Sequence, residues 1–182
     1  MDQNSTDIRL DVAQTVYRFA YGIDQRDWAA YRQIFVGPPA EIEFDYESYH
    51  GRPASPMGVD EWISAVTPLF TGLDATQHSM SNPIVELAAD QRSARCRVYM
   101  QAAHFLWRDD LQEQTGSADP EFTIGGFYDD HLVRSEGDSW RIDAVTLTVW
   151  WRRGNEGIMG LARQAARERP MTTRPGTGST TP

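Results

Sequence analysis

The four histidines and Asp24 are the residues of this chain that stand out as candidates for acid/base chemistry. His78 and His104 lie in long, mostly apolar segments, where an imidazole must either find hydrogen-bond partners or line a cavity. His50 lies in a loop rich in glycine and proline and is expected to be solvated, while the direction of His131 stays open. Asp24 follows an apolar helical stripe, where it could serve a histidine, cap a helix or pair with an arginine.

The chemistry that these residue types favour is proton transfer to and from carbon. A neutral imidazole, with an unperturbed pKa of about 6.5, is a free base at neutral pH. A carboxylate on its second ring nitrogen fixes the tautomer and stabilises the imidazolium that forms. Asp24 would form such a dyad with His78 or His104, and the sequence leaves both pairings open. Tyr46, at the end of a predicted strand, could direct its hydroxyl at a substrate oxygen.

The composition excludes several classes of function. The chain has 182 residues and a formal net charge of -9, and all 17 basic residues are arginines. Lysine Schiff bases, lysine-bound pyridoxal phosphate and the lysine of a Walker A loop are therefore excluded. An acidic surface is repelled by phosphate backbones, so nucleic acid is not an expected partner. Without lysine and with few arginines at inward-facing positions, the sequence does not indicate an anionic substrate.

Cysteine usage and apolar patterning predict a cytoplasmic protein that needs no cofactor. Cys96 is the only cysteine, so it can form no internal disulfide, and no Cys/His cluster has the spacing of a structural zinc site. A metal site built from Asp24, His78 and His104 is a minor alternative, because their spacing matches no known ligand motif. Met1–Leu10 lacks the apolar region of a signal peptide, and no apolar run is long enough to span a membrane, so we expect neither feature.

Helical periodicity comes first along the chain, and strand patterns follow. The patterns predict a first helix from about Asp7, which Gly22 ends or bends. A second helix follows the cap residue Asp27, and a third runs from Asp60 to Phe70. Strands are predicted at 41–46, 76–87, 93–107, 121–134 and 139–151, with turns at Asp90-Gln91 and Glu136-Gly137-Asp138. We expect loops at 50–58 and 109–119, and a weak helix at 156–169. The chain therefore divides into a single domain, 1–169, and a disordered tail, 170–182.

Helices followed by long strands predict an α+β fold. We expect a cone-shaped barrel, in which a curved mixed or antiparallel sheet and the N-terminal helices on its concave side enclose a pocket. Large residues at inward positions would line this pocket and suit a hydrophobic substrate: Phe19, Trp62, Phe70, Met80, Val98, Met100, Leu106, Val145 and Leu147. Other large residues lie on the opposite face of the strands and predict a homo-oligomer, a trimer or dimer: Phe105, Trp107, Trp150 and Trp151.

Short segments in a fixed order resemble a known family. They are Tyr21-Gly22-Ile23-Asp24-Gln25-Arg26-Asp27-Trp28, Thr76-Gln77-His78, the strand of His104, Gly125-Gly126-Phe127-Tyr128 and Ser139-Trp140-Arg141-Ile142. Over residues 8–152 the chain is similar to the SnoaL-like proteins of the nuclear transport factor 2 (NTF2-like) superfamily. Within it the chain most resembles scytalone dehydratases, through Asp24-x-x-Asp27-Trp28, Asp45-Tyr46-Glu47-Ser48, Thr76-Gln77-His78 and His104.

This resemblance implies a cone-shaped barrel whose pocket works without a cofactor. It carries the catalytic roles onto Asp24, His78, His104 and Tyr46. The dehydratases have a second tyrosine directly before the aspartate, where this chain has Ile23, so Tyr21 is a candidate replacement. Bile-acid dehydratases and lindane dehydrochlorinase resemble the same layout.

A second departure from the scytalone dehydratases concerns the fourth long strand. Their serine and asparagine fall near residues 126–129, where Tyr128 or Asp129 could substitute. These departures make scytalone itself an unexpected substrate. The candidate replacements Tyr21 and Tyr128 and five of the apolar candidates make up the predicted substrate-binding set: Phe19, Tyr21, Trp62, Met80, Met100, Tyr128 and Val145.

The function expected from the residues and the resemblance is that of a lyase. A dehydratase would eliminate water from a hydrophobic substrate of the polyketide, terpenoid or steroid type. A cyclase or an isomerase using the same Asp–His dyad is the first alternative. A non-catalytic small-molecule-binding protein is the second.

Overall fold

Six helices and six strands make up the part of the chain that the structure describes. The computed structural model describes residues 5–134 and 139–168. The helices are α1 Ser5–Gln25, α2 Trp28–Gln33, α3 Glu47–His50, α4 Val59–Gly72, α5 Leu111–Thr115 and α6 Gly157–Glu168. The strands are β1 Ile42–Asp45, β2 Ser55–Met57, β3 Ala75–Leu87, β4 Ser93–Phe105, β5 Glu121–Arg134 and β6 Trp140–Gly154. The predicted turn at 136–138 and the predicted tail at 170–182 lie outside the described residues.

The strands form one curved sheet that does not close on itself. Their order is β2-β1-β6-β5-β4-β3, with β1 and β6 parallel and every other pair antiparallel. The four long strands follow one another along the chain and pair as neighbours, which is the mixed α+β arrangement predicted from the sequence. Because the sheet stays open, β3 is an edge strand and keeps free backbone groups along one side.

Irregular pairing at Gly125-Gly126 contributes to the curvature of the sheet. The register between β5 and β6 shifts at this pair, and a bulge of this kind bends and twists a strand. A Cβ at Gly125 would overlap the ring of Trp151, and one at Gly126 would overlap the backbone carbonyl of Thr148. Only glycine therefore allows β6 to approach this closely.

Helix α1 packs its apolar stripe against the concave face of the sheet. Ile8, Val12, Val16, Phe19 and Ile23, spaced three or four residues apart, are each at most 3% exposed. This stripe and the facing sides of the long strands form the hydrophobic core.

The end of α1 differs from the sequence prediction at Gly22. The helix continues to Gln25, and Gly22 instead lets α2 approach, because a Cβ there would lie 2.8 Å from the Cβ of Tyr31. Asp27 caps α2 as predicted, accepting a hydrogen bond from the backbone N–H of Ala30 at 3.0 Å.

Two of the predicted loops contain short regular elements. Residues 50–58 include β2, and residues 109–119 include α5. The helix predicted at 156–169 is α6, which packs against α4. Helix and strand propensities are weak predictors for segments of only three to five residues. In these segments, contacts with the rest of the fold determine the structure.

Candidate active site

The carboxylate of Asp24 binds His78 through both its ring and its backbone. Asp24 lies in the last turn of α1, which ends beside edge strand β3. Its Oδ1 lies 2.7 Å from the ring Nδ1 of His78 and accepts a hydrogen bond from the hydroxyl of Thr76 at 2.8 Å. Its Oδ2 accepts one from the backbone N–H of His78 at 2.7 Å. Of the two pairings left open by the sequence, the structure contains the one with His78.

The ionised state of Asp24 follows from its surroundings. Burial alone would raise the pKa of Asp24, but the hydrogen bonds and charge interaction with His78, together with Thr76, outweigh it and lower the pKa. The carboxylate is therefore ionised at neutral pH and holds Nδ1–H of His78. In a neutral ring, a hydrogen on Nδ1 leaves the lone pair on Nε2, and His78 lines a cavity.

The second imidazole of the cavity, His104, is neutral. Residues 76 and 78 of β3 lie opposite residues 104 and 102 of β4, so the register brings the two histidines to one face of the sheet. Their ring centroids are 5.6 Å apart and their planes perpendicular. Burial and the neighbouring His78 lower the pKa of His104 to about 3. Its Nδ1–H donates to the backbone carbonyl of Phe122 at 3.1 Å, which leaves Nε2 as an acceptor.

The cavity has a volume of about 350 Å³ and a mostly apolar wall. Helices α1 and α4, strands β4 to β6 and helix α6 all contribute to it. Its apolar side chains include Ile23, Leu69, Phe70, Ala102, Ile124 and Leu147. A volume at the lower end of the range for ligand pockets, with few polar groups, suits a compact hydrophobic molecule.

A cluster of tyrosine hydroxyls forms another polar part of the site. Tyr46 and Tyr128 line the cavity and are hydrogen-bonded to each other. Burial raises the pKa of each hydroxyl, so both stay protonated and remain donors at neutral pH. Trp62, also in the cavity wall, donates its indole N–H to the hydroxyl of Tyr31 at 3.0 Å. Since two hydroxyls that share one hydrogen bond retain one hydrogen, the pair can donate to a ligand oxygen.

A buried carboxyl, Asp130, lies behind the tyrosines and was not among the predicted site residues. It is 1% exposed on β5, and its Oδ1 has no hydrogen-bond partner among the described residues. Burial and the neighbouring Asp129 raise its pKa well above the ordinary range, so it is protonated. The alternation of Tyr128, Asp130 and Leu132 on β5 is the sequence signal that indicates an inward direction.

Five of the predicted substrate-binding residues lie away from the cavity wall. Tyr21 is 63% exposed on α1, and Ile23, the residue directly before Asp24, lines the cavity instead. Phe19, Met100 and Val145 are at most 3% exposed in the core, and Met80 is partly buried against that core. Helical and strand periodicity identifies inward residues, but does not separate those in the closed core from those at a cavity.

The cavity mouth contains residues that the sequence analysis did not assign to the site. His50, expected to be solvated, is exposed but lines the cavity and stacks on Tyr46 with centroids 6.5 Å apart. Arg52 lines it from the segment between α3 and β2, and Met159 and Arg163 line it from α6. The weak helical pattern of α6 carried no signal for this role.

Another Asp–His pair lies outside this cavity. The Nδ1 of His131 lies 2.6 Å from an Asp143 oxygen, but neither residue lines the cavity of the dyad. Throughout residues 5–134 and 139–168, no group of three or more His, Cys, Asp or Glu side chains could hold a metal ion. Within the same ranges, no helix has the length and apolarity needed to cross a membrane.

Fold and site together define a class of protein: an α+β cone whose open sheet and N-terminal helices enclose an apolar cavity with an Asp–His pair. The family model for the SnoaL-like domain matches residues 4–146. The chain therefore belongs to the SnoaL-like domain family.

Solved structures share this fold at low sequence identity. The Kfla4162 protein from Kribbella flavida is 22% identical, with a TM-score of 0.73 over 88% of this chain and 99% of that chain. An NTF2-like superfamily protein from Salmonella enterica serovar Typhimurium is 17% identical, with a TM-score of 0.59 over 96% and 99%. The hexachlorocyclohexane dehydrochlorinase LinA-type3 from Novosphingobium barchaimii LL02 is 12% identical, with a TM-score of 0.61 over 82% and 90%. No curated protein matches the chain.

Proposed function

We propose that the protein is a cofactor-independent lyase, a dehydratase that removes water from a hydrophobic substrate of the polyketide, terpenoid or steroid type. The observation that carries the proposal is the pairing of Asp24 with His78 in the wall of an apolar cavity. A relative of the same fold supports an elimination, because a dehydrochlorinase, as its name says, removes hydrogen chloride.

The reaction begins with proton transfer from carbon. His78 Nε2 takes the proton next to a substrate carbonyl, and the Asp24 carboxylate stabilises the imidazolium that forms. The hydroxyl pair of Tyr46 and Tyr128 donates to the carbonyl oxygen, where negative charge develops in the enolate.

The second step breaks the carbon–oxygen bond. The enolate electrons form the new double bond, and the departing hydroxide takes the proton from Nε2 of His78, which releases water and restores the neutral ring. His104, neutral and with Nε2 as an acceptor, can hold the substrate hydroxyl in position before it leaves. One imidazole thus serves as base and then as acid.

The test is turnover of β-hydroxy ketones with one to four fused rings, followed by mass spectrometry. We expect loss of one water in the wild type, and a decrease of about 10²–10⁴-fold in kcat/KM for His78→Ala and Asp24→Asn. His131→Gln is the matched control, because it breaks the Asp–His pair that lies outside the cavity of the dyad. Circular dichroism checks that each variant folds. Wild-type rates in His78→Ala and Asp24→Asn would contradict the proposal.

The same measurement distinguishes the alternatives. Two imidazoles 5.6 Å apart could also move a proton between two carbons, which favours an isomerase or a cyclase as the second candidate. Either reaction would change the retention time of the product without loss of water. Ligand binding that both substitutions leave unchanged, without turnover, would instead indicate a binding protein.

A further inference from the structure

The charged residues in the cavity wall are all basic. Arg52 and Arg163 line the cavity together with three histidines, and no carboxylate is among the lining residues. Asp24 is not among the lining residues, and its two carboxylate oxygens are occupied by hydrogen bonds with Thr76 and His78. In a chain with 26 acidic and 17 basic residues, a wall without acids is the reverse of the overall balance.

Both guanidinium groups keep donors available. Arg163 donates to the backbone carbonyl of Ala65 at 3.3 Å, and neither arginine forms an ion pair with any described residue. The nearby Arg152 differs, because it pairs with Glu156 at 2.8 Å and lies over the ring of Tyr49. Arg152 and Glu156 thus neutralise each other near the mouth, whereas Arg52 and Arg163 have no acidic partner among the described residues.

His50 adds a third donor beside Arg52. Its Nδ1 accepts the backbone N–H of Arg52 at 3.1 Å, so the neutral ring carries its hydrogen on Nε2. His50, Arg52 and Arg163 are exposed, whereas the rings of His78 and His104 are buried. The site therefore has a buried end with the dyad and a solvent-facing end with the donors of two arginines and His50.

We propose that the substrate is an amphiphilic carboxylate, whose apolar rings fill the cavity and whose carboxylate binds Arg52 and Arg163 at the mouth. Guanidinium groups bind carboxylates with two parallel hydrogen bonds, and such charge-assisted bonds are stronger than neutral ones. The carboxylate positions the rings so that the reacting carbon faces His78. This inference rests on the proposed function, since it names the substrate class of the same site.

The test compares carboxylates with their uncharged amides by calorimetry. The probes are 2-naphthoate against 2-naphthamide, and anthracene-2-carboxylate against its amide, in low salt. We expect each acid to bind at least about tenfold more tightly than its amide, a preference that weakens with added salt. The double variant Arg52→Gln/Arg163→Gln should remove the preference but keep binding of the amides. Arg18→Gln, an exposed arginine of α1 outside the cavity, should keep the preference.

Two results would overturn the inference. One is equal affinity of acids and amides in the wild type, and the other is no binding of any carboxylate at millimolar concentration. Binding is measured without turnover, so the two proposals fail separately. A preference for acids in a protein that catalyses no elimination would support carboxylate binding at the mouth and contradict only the proposed lyase activity. Loss of water from neutral ketones, with no preference for acids, would contradict only the carboxylate inference.

Discussion

Asp24 organises the site because one carboxylate fixes a backbone and a ring at once. It binds the backbone N–H of His78, which β3 leaves free as an edge strand, and the ring Nδ1 of the same residue. The ring can then rotate little, and its Nε2 has a defined direction. A carboxylate held by several donors stays ionised at lower pH than an isolated one, as its lowered pKa indicates.

The buried acid Asp130 should make stability depend on pH. In the unfolded chain its carboxyl ionises above a pKa of about 3.9, whereas burial keeps it protonated in the folded protein. Stability from a group with a raised pKa is complete below the unfolded pKa and is lost as pH rises towards the folded one. We therefore expect Asp130→Asn, which cannot ionise, to be more stable than the wild type at neutral pH.

The measurement is urea unfolding of both proteins at several values between about pH 5 and pH 8. The stability gain of Asp130→Asn should grow with pH, by at most about 1.4 kcal/mol per pH unit. Glu86→Gln, which removes an exposed carboxyl of β3, should show no such trend. A gain from Asp130→Asn that stays constant across this range would contradict the prediction.

Their position in long, mostly apolar strands selected His78 and His104 as candidates, but did not show which of them pairs with Asp24. His78 and His104 lie on the same face of adjacent strands, so alternation gives both the same direction. What decides between them is the edge position of β3, beside which α1 ends. That position is a property of the strand order, which periodicity does not contain.

At the scale of elements, the contact between α4 and α6 determines the cavity mouth. Gly72, the last residue of α4, is buried, and a Cβ there would overlap the backbone carbonyl of Ala162 in α6. Since backbone cannot move as a flexible side chain does, α6 would have to shift. Met159 and Arg163 would shift with it, because both lie on α6 and line the cavity.

We expect Gly72→Ala to lower the free energy of unfolding by about 1–3 kcal/mol, a typical cost of overpacking. Hydrogen exchange should increase most in α6. Gly160→Ala is the control on α6 itself, since a Cβ there meets nothing within 4 Å. It should raise stability by about 0.5–1 kcal/mol, because alanine favours a helix. Equal effects of the two substitutions would show that the close contact is unimportant.

The sequence predicted whether a segment is a helix or a strand better than it predicted which of these elements contact each other. Long apolar stripes and strict alternation place α1, α4 and the four long strands, because burial imposes those periods on the sequence. Gly22 and Gly125 are recognisable as glycines, but a glycine that allows a close approach resembles one that ends a helix. Only the neighbouring element, Tyr31 in one case and Trp151 in the other, distinguishes these roles.

The outer face of the sheet carries an aromatic patch at the scale of the whole molecule. Tyr99, Phe127 and Trp150 lie on the adjacent strands β4, β5 and β6. The ring of Trp150 lies 6.0 Å from that of Tyr99 and 5.1 Å from that of Phe127. Tyr99 is 49% exposed and Trp150 is 62% exposed. A contiguous exposed patch of this kind favours association.

We therefore expect the protein to form a homo-oligomer through this face. Closed symmetric assemblies repeat one contact, so a single substitution affects every copy of the interface. Trp150→Glu, which places a charge in the patch, should shift the mass measured by light scattering after size-exclusion chromatography towards that of the monomer. Tyr21→Glu charges a similarly exposed aromatic on α1, outside the patch, and should leave the mass unchanged. A wild-type protein that is monomeric at tens of micromolar would show that the patch does not mediate self-association.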